Sequence, residues 1–529
     1  MLLVSQILFS CSFLLFLSRR ILNYLRFFQQ EDYRPKRFLK WFLWAKAFDT
    51  KGTLILALAF LGRFFFEPTF LYFLLSFGFL YSFFKEEDPR VFGKIPLKMT
   101  NRAKRLFLVS LSLSFILSLS AYALGDFFKE LVFFAFFLQM QPLILLLSWL
   151  LLHPDEKRRQ NKFLRQASLK LEKVDPFVIG ITGSYGKTST KHALAHLLNT
   201  CVGPTFFPKG SVNTPMGITV EVNEKLKPYH QFAVIEMAAY GIGSIRNLSC
   251  FTKPKAAILT NIGLAHLERF KLTQTIQKAK AELAEALPKG GLLVCNGDSP
   301  LIREIAKNHR DKNIIFYGYS DHLGPIDLLI EFKENTLKGT SFTFTWKGKC
   351  YSGTTPLFGK ANLSNIAASF AMSSELGGNP DFLMAAIGCM EPVNNRLEIK
   401  QDKGVTYIKD AYNSNPLGFK DALEVMEALP GQRKFLMTPG MIELGPLQAH
   451  ENEEAGKRAS RFLDTALIVG KVNREALNRG LSSQMTPSQV LFFDFREEAL
   501  AFLKKEAREG DVILLENDLT DIYESKSSF

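Results

Sequence analysis

Long apolar runs bounded by clusters of Lys and Arg fill the first 153 residues, and this pattern argues against a single soluble fold for the chain. More than half of the 49 Phe residues lie in that stretch. Leu106–Leu124 and Leu131–Leu152 each approach the ~20 residues with which an α-helix crosses a hydrocarbon core of about 30 Å. Thr53–Phe84 is apolar except for Arg63 and Glu67. One helix over that span would rise about 48 Å. Two shorter helices turning near Glu67-Pro68 fit better, with one long tilted helix as the alternative.

Leu2–Leu17 is also apolar, and its positive charges, Arg19 and Arg20, follow the run rather than precede it. A secretory signal has the opposite order and a small-residue cleavage site, so this run reads as a retained anchor with its N-terminus outside the cytoplasm. Basic stretches follow at 19–51, 85–105 and 157–165, and nearly all of the net charge of +14 lies before residue 174. With about five spans, all three stretches fall on one side, which the positive-inside rule makes the cytoplasm. The expectation is a multi-pass membrane protein, with lipid as a partner and its remaining domains in the cytoplasm. Basic residues that flank apolar runs speak for membrane orientation rather than for nucleic acid, and no nucleic-acid partner is expected. The six cysteines include no CxxC pair, which disfavours a zinc or redox site.

After residue 174 the pattern becomes that of a soluble α/β protein. Phe177-Val-Ile-Gly-Ile-Thr182 reads as a buried strand, and Ser189–Leu198 as a helix. Between them lies Gly183-Ser-Tyr-Gly-Lys-Thr188. A glycine turn between strand and helix lets backbone N–H groups approach phosphate oxygens, and the helix N-terminus adds positive potential. Lys187 would reach the β- and γ-phosphates of ATP and the Thr188 hydroxyl would hold Mg²⁺. Ile181 stands where the usual P-loop spacing has its first glycine, so the motif is shortened.

Phe232-Ala-Val-Ile-Glu236 reads as a strand with Glu236 at its C-terminal end, and Lys255–His266 as a strand with a polar tip. Carboxylate and imidazole at strand ends can converge on one Mg²⁺. From the residues alone, His266 is equally a satisfied loop histidine, and Lys280, on the helix read over Thr273–Leu287, is a solvated helix-face charge. A helix-like stretch, Ile366–Leu376, follows Phe358–Asn365, and αβ units over 400–516 predict a Rossmann-like lobe.

The segment Thr182-Gly-Ser-Tyr-Gly-Lys-Thr-Ser-Thr-Lys191 resembles the ATP loop of the Mur ligases, within them most closely that of the branch adding D-alanyl-D-alanine to a peptidoglycan precursor. The resemblance covers roughly residues 175–510 and implies that Gly183, Ser184, Gly186, Lys187, Thr188 and Ser189 cradle ATP. Thr260–Glu268 resembles the family's TNI…AHL segment. The match implies that Asn261 lies at the nucleotide, that Glu236 and His266 bind metal, and that Lys280 is carbamylated and holds a second Mg²⁺. Phe358–Asn365 resembles the GxHNxxN element, giving Asn362 a nucleotide role, with Lys360 and Ala361 departing from it. Asn395-Arg-Leu-Glu398 places Arg396 on ATP. Lys409–Pro416 resembles DDxYNANP, giving Asp410 the ribose and placing Asn413 and Asn415 in the interdomain cleft.

The implied architecture is α/β: a transmembrane helical bundle (1–153), a basic linker (154–174), a P-loop-type central Mur ligase domain (175–390) and a Rossmann-like C-terminal domain (391–529). The implied reaction is ATP-dependent ligation through an acyl phosphate. It joins an amino acid or dipeptide amine to a peptide-bearing carboxylate, UDP-linked or lipid-linked, with Lys187, Lys280, His266 and Arg396 at the chemistry. Three departures bear on the substrate. The apolar bundle stands where the family has its UDP-sugar-binding domain. Glu236–Gly243 and Ser211–Pro215 differ from EMGANHPGE and NNxxGxP. Leu515-Glu-Asn-Asp-Leu519 replaces KGSR. Two alternatives stay open: a related ligase acting on another amine and carboxylate, and a nucleotide-binding membrane scaffold without turnover.

Overall fold

The computed structural model describes residues 1–93, 95–263, 270, 272–336, 338–411 and 414–518. It divides into two compact units, one formed by residues 1–160 and one by residues 161–518.

The first unit is helical: α1 (Leu2–Gln30), α2 (Pro35–Trp44), α3 (Thr50–Gly62), α4 (Pro68–Lys85), α5 (Asn101–Ser120), α6 (Phe127–Gln139) and the first part of α7 (Gln141–Val174). Its core is aromatic. Phe9, Phe13, Phe79 and Phe134 meet at ring-centroid distances of 4.9–6.0 Å, Phe9 and Phe13 stacked and the other pairs edge-on or tilted. Outward-facing side chains are also apolar: Phe64, Phe65, Phe77 and Phe84 are all exposed. Arg20, only 2% exposed, gathers two helix ends. Its guanidinium pairs at 2.5 Å with Asp49, which N-caps α3 by accepting from Gly52 N–H, and at 2.6 Å with Glu86, which closes α4.

Among the described residues, two helices are long and apolar enough to cross a membrane, Leu2–Gln30 and Asn101–Leu124, or three if the bent pair α6–α7 is one span, by length and composition. By that measure the described residues hold fewer candidate spans than the five expected. The chain does turn before Pro68, but α3 has 13 residues and rises only about 20 Å. The run read as Leu131–Leu152 breaks at Met140 with a bend of 61°. Pro142 lacks an N–H and its ring crowds the carbonyl four residues earlier, so it starts a helix more readily than it continues one. The stretch read as a basic linker, 154–174, is part of α7.

In the second unit, the end of α7 packs through Ala167 and Leu171 into the core of a nine-stranded sheet ordered β2-β3-β1-β4-β5-β6-β7-β8-β9. These strands are β1 (Phe177–Thr182), β2 (Thr205–Phe206), β3 (Phe232–Glu236), β4 (Ala256–Leu259), β5 (Leu292–Asn296), β6 (Asn313–Gly318), β7 (Leu328–Thr336), β8 (Gly339–Trp346) and β9 (Lys349–Thr355). Pairing is parallel through β7 and antiparallel for β7–β8–β9. The helices are α8 (Lys187–Cys201), α9 (Pro215–Lys225), α10 (Ser244–Thr252), α11 (Thr273–Glu285), α12 (Pro300–Lys307), α13 (Lys360–Glu375) and α14 (Pro380–Ile387). Both faces of the sheet are covered, so β1, β3 and β4 are near-continuous apolar runs, as buried parallel strands require.

A second sheet follows, ordered β10-β11-β15-β12-β13-β14 and parallel except for β10–β11. It is built from β10 (Glu398–Asp402), β11 (Val405–Asp410), β12 (Lys434–Thr438), β13 (Thr465–Val469), β14 (Val490–Phe493) and β15 (Val512–Glu516). Its helices are α15 (Pro416–Ala428), α16 (Gln448–Ala459), α17 (Arg474–Leu481) and α18 (Arg496–Glu506). This is the Rossmann-like lobe expected from the αβ alternation.

Replacing Arg20 with Met leaves two carboxylates facing each other in the helical unit. Loss of one partner from a buried ion pair costs about 3–5 kcal/mol, towards the lower end here because Glu86 keeps 14% exposure. A fall in the unfolding midpoint of the detergent-solubilised protein is expected; an unchanged midpoint contradicts the assignment.

Candidate active site

Strand register builds the site. Ile181 is opposite Glu236 on β3 and Thr182 is opposite Leu259 on β4. The turn after β1, the Glu236 carboxylate and the Thr260-Asn261 tip therefore emerge together at the C-terminal edge of one parallel sheet. The turn lies tightly against β4. A Cβ on Gly183 would lie 2.0 Å from Thr260 Oγ1 and 3.0 Å from the Asn261 nitrogen. Gly186 has φ +78°, where side chains are strained, and its Cβ would lie 2.3 Å from Asn365 Oδ1. Ser184 N–H donates to Asn261 O at 2.7 Å. Lys187 Nζ folds back onto the turn, donating to Gly183 O at 2.8 Å and Ser184 O at 3.2 Å. Those are the contacts an incoming phosphate can exchange for its own oxygens.

Glu236, 1% exposed, is the hub. Thr188 Oγ1 donates to its Oε2 at 2.9 Å, Asn213 Nδ2 to its Oε1 at 2.8 Å, and Lys191 Nζ pairs with it at 3.3 Å. Burial by itself raises a carboxyl pKa, but the Lys191 and Lys187 ammoniums and the two hydrogen bonds hold Glu236 below the usual range. Lys191 has no exposed surface and also donates to Gly210 O, tying the 207–214 loop to the hub. Lys280 reaches the same place from α11, 4% exposed and within the fields of Lys187 and Glu236. Burial first, then the Lys187 charge, drives its pKa well below that of a free lysine.

Arg396 enters from the segment leading to the second sheet. Its Nη2 lies 3.4 Å from both Thr188 Oγ1 and Ser211 Oγ. Asn395 and Leu397 on either side adopt left-handed φ values of 58° and 51°. That conformation is uncommon for Leu and marks a fixed, strained approach.

Beside this cluster a cavity of about 380 Å³ opens between the two sheets. Gly186, Ser189, Asn261, Asn362, Arg396, Asp410 and Asn415 all line it, so the positions given nucleotide roles converge. Burial pushes the Asp410 carboxyl up to about 7. Glu516, opposite Asp410 in the parallel register, is raised by burial and by the Asp410 charge. Asn415 Oδ1 is engaged as the N-cap of α15, accepting from Gly418 N–H at 3.0 Å. His266 and Asn413 lie outside the described residues. Among the described residues no group of three or more His, Cys, Asp or Glu side chains gathers as a metal site. Of the residues expected to hold metal, the described ones are Thr188, Glu236 and Lys280, and the Thr188 hydroxyl meets the Glu236 carboxylate.

Three contributors went unassigned in the sequence. Lys191 is one helical turn from Lys187, and that i, i+4 spacing was its only signal. Asn213 and Asp421 are brought in by loops and by the second lobe, with no local pattern to mark them.

The Mur ligase middle domain model matches residues 181–373, and the Mur ligase glutamate ligase domain model residues 395–516. The chain is 30% identical over 373 residues to the UDP-N-acetylmuramoyl-tripeptide–D-alanyl-D-alanine ligase of Bacillus subtilis, covering 68% of this chain and 79% of that one. The chain belongs to the Mur ligase family. Like other Mur ligases it is an ATP-dependent ligase. It is also 30% identical over 365 residues to the ligase of the same name from Mycobacterium tuberculosis, covering 64% of this chain and 69% of that one. A MurF ligase from Thermotoga maritima, solved in complex with ADP, is similar with a TM-score of 0.61 and 26% identity, over 70% of this chain and 82% of that one. The family matches begin at residue 181, so the helical unit lies outside them.

Gly183→Ala tests the cradle of this Mur ligase. The added methyl displaces Thr260 and the phosphate loop, and misplacement on the ångström scale costs about 100-fold in turnover. ATP turnover at wild-type level in this variant contradicts the packing of the loop against β4.

Proposed function

We propose that this Mur ligase is held at a membrane by its helical unit and joins an amine, D-alanyl-D-alanine in the leading reading, to the peptide carboxylate of a cell-wall precursor. The observation that carries the reading is the convergence of Lys187, Thr188, Glu236, Lys280 and Arg396 beside a cavity lined by both lobes.

The substrate carboxylate attacks the γ-phosphorus of ATP, the bond to the β-phosphate oxygen breaks, and ADP leaves an acyl phosphate. The neutral amine then attacks the acyl carbon, the bond to phosphate oxygen breaks, and an amide forms as phosphate and a proton depart. Lys187 leaves the loop carbonyls for the transferring phosphoryl group, and Arg396 adds charge from the second lobe. Such positioning and charge neutralisation provide most of the catalysis in phosphoryl transfer. The Thr188 hydroxyl and Glu236 carboxylate would hold Mg²⁺, with Lys280 as a carbamate; the ion neutralises phosphate charge when bound. Burial disfavours the Lys280 ammonium and so favours the amine that adds CO₂ with loss of a proton, and the carbamate carries oxygen donors where an ammonium would repel the cation. Lys191 keeps Glu236 ionised, and closure of the two lobes excludes water from the acyl phosphate.

Phosphate release by the purified full chain with ATP, Mg²⁺ and a panel of wall precursors and amines tests the reading. Release that requires UDP-muramoyl-tripeptide and D-alanyl-D-alanine together supports it. The second reading is the same chemistry on another pair. It is favoured by Glu516, a buried carboxylate at the end of β15 where the family's KGSR stretch is cationic. Release only with another pair selects it. Lys187→Ala is expected to lose at least about 100-fold in turnover; an unchanged rate rules out the phosphate-loop assignment. Turnover is further expected to fall in CO₂-depleted buffer and to recover with bicarbonate, with no such response in Lys280→Ala.

Recovery of the chain in membranes after alkaline carbonate washing supports anchoring by α1 and α5, and release into the wash contradicts it.

A further inference from the structure

We propose that Asp421, on the C-terminal lobe, caps a helix of the central lobe and thereby positions the wall of the nucleotide cleft that carries Asn362. The proposal rests on the ligase reading only in calling the cleft a nucleotide site.

Helix α13 begins at Lys360 with Gly359 as its N-cap, and glycine offers no side-chain acceptor to the free N–H groups of the first turn. The acceptor comes from another helix in the other lobe. Asp421 on α15 accepts from Lys360 N–H through Oδ1 at 2.9 Å and from Ala361 N–H through Oδ2 at 3.0 Å. It is 7% exposed and both carboxylate oxygens are engaged. The fit requires Gly359: its φ is +87°, and a Cβ there would lie 2.3 Å from Asp421 Oδ2 and 2.9 Å from Leu397 Cδ2. Two further contacts hold this turn, a hydrogen bond from the Tyr319 hydroxyl to Lys360 O at 2.6 Å and an ion pair of Lys360 with Glu424 at 3.7 Å. Glu424 also belongs to α15, so one helix of the C-terminal lobe supplies both charges.

Asn362 follows directly in the same turn, and both it and Asp421 line the cleft. Helix-dipole attraction for a carboxylate acts within the first turn, where these residues lie. The cap thus links lobe closure to the geometry of the nucleotide wall. Asp421 acts through α13 and is a positioning residue.

The test uses the full chain in nanodiscs with Asp421→Ala and Asp421→Asn. Without nucleotide, hydrogen exchange at the Lys360 and Ala361 amides is expected to rise about tenfold in Asp421→Ala. Asp421→Asn retains one carbonyl acceptor and is expected to show intermediate exchange. ADP affinity should fall in the same order, and the KM for ATP should rise more than kcat falls. Wild-type exchange at both amides in both variants, or ADP affinity unchanged in Asp421→Ala, overturns the proposal. The exchange measurement needs no turnover, so a chain inactive on every precursor would refute the ligase reading and leave this result standing.

Discussion

Burying the Glu236 carboxylate is the constraint around which the central lobe is arranged. A carboxylate removed from water costs several kcal/mol unless charge and hydrogen bonds replace its hydration. Here Lys191 and Thr188 come from α8, Asn213 from the loop after β2, and the carboxylate from β3. Satisfying Glu236 therefore fixes where α8 starts, and with it the phosphate turn, and where the 207–214 loop lies. Arg396 reaches Thr188 and Ser211, members of the same network, so the second lobe is registered against it too.

The cluster is arranged for charge transfer rather than for nucleophilic attack by the protein. Lysines are buried without being neutralised one for one. Lys187 rests on backbone carbonyls that can be given up, and burial disfavours the charged form of Lys280. Such a cluster places positive charge beside the open cavity without a protein nucleophile among its members. The helical unit follows another logic. Its interior is packed with aromatic rings and the Arg20–Asp49–Glu86 ion triad, while many large apolar side chains face outward.

The catalytic half was largely legible because its signals are local. β1 was read to the residue, since a β-branched run before a glycine turn has few alternatives, and Glu236 was placed at the end of its strand. Convergence of Asn362, Asp410 and Asn415 on one cavity followed from motifs in order along the chain. Helix α13, by contrast, begins at Lys360 rather than near Ile366, because its cap is supplied by Asp421, 61 residues later. The apolar runs gave hydrophobicity but not straightness: a break before Pro68 and a bend of 61° at Met140 interrupt them.

By itself, the sequence determined the elements whose causes lie within a few residues: apolar runs, the phosphate turn, strand-end carboxylates and the alternation of strand and helix. Only the tertiary structure decided which charges share a site, which helix caps which, and where the apolar runs break into separate helices. Burial, capping and bending depend on groups far apart in the chain, and their energies exist only once those groups have been brought together.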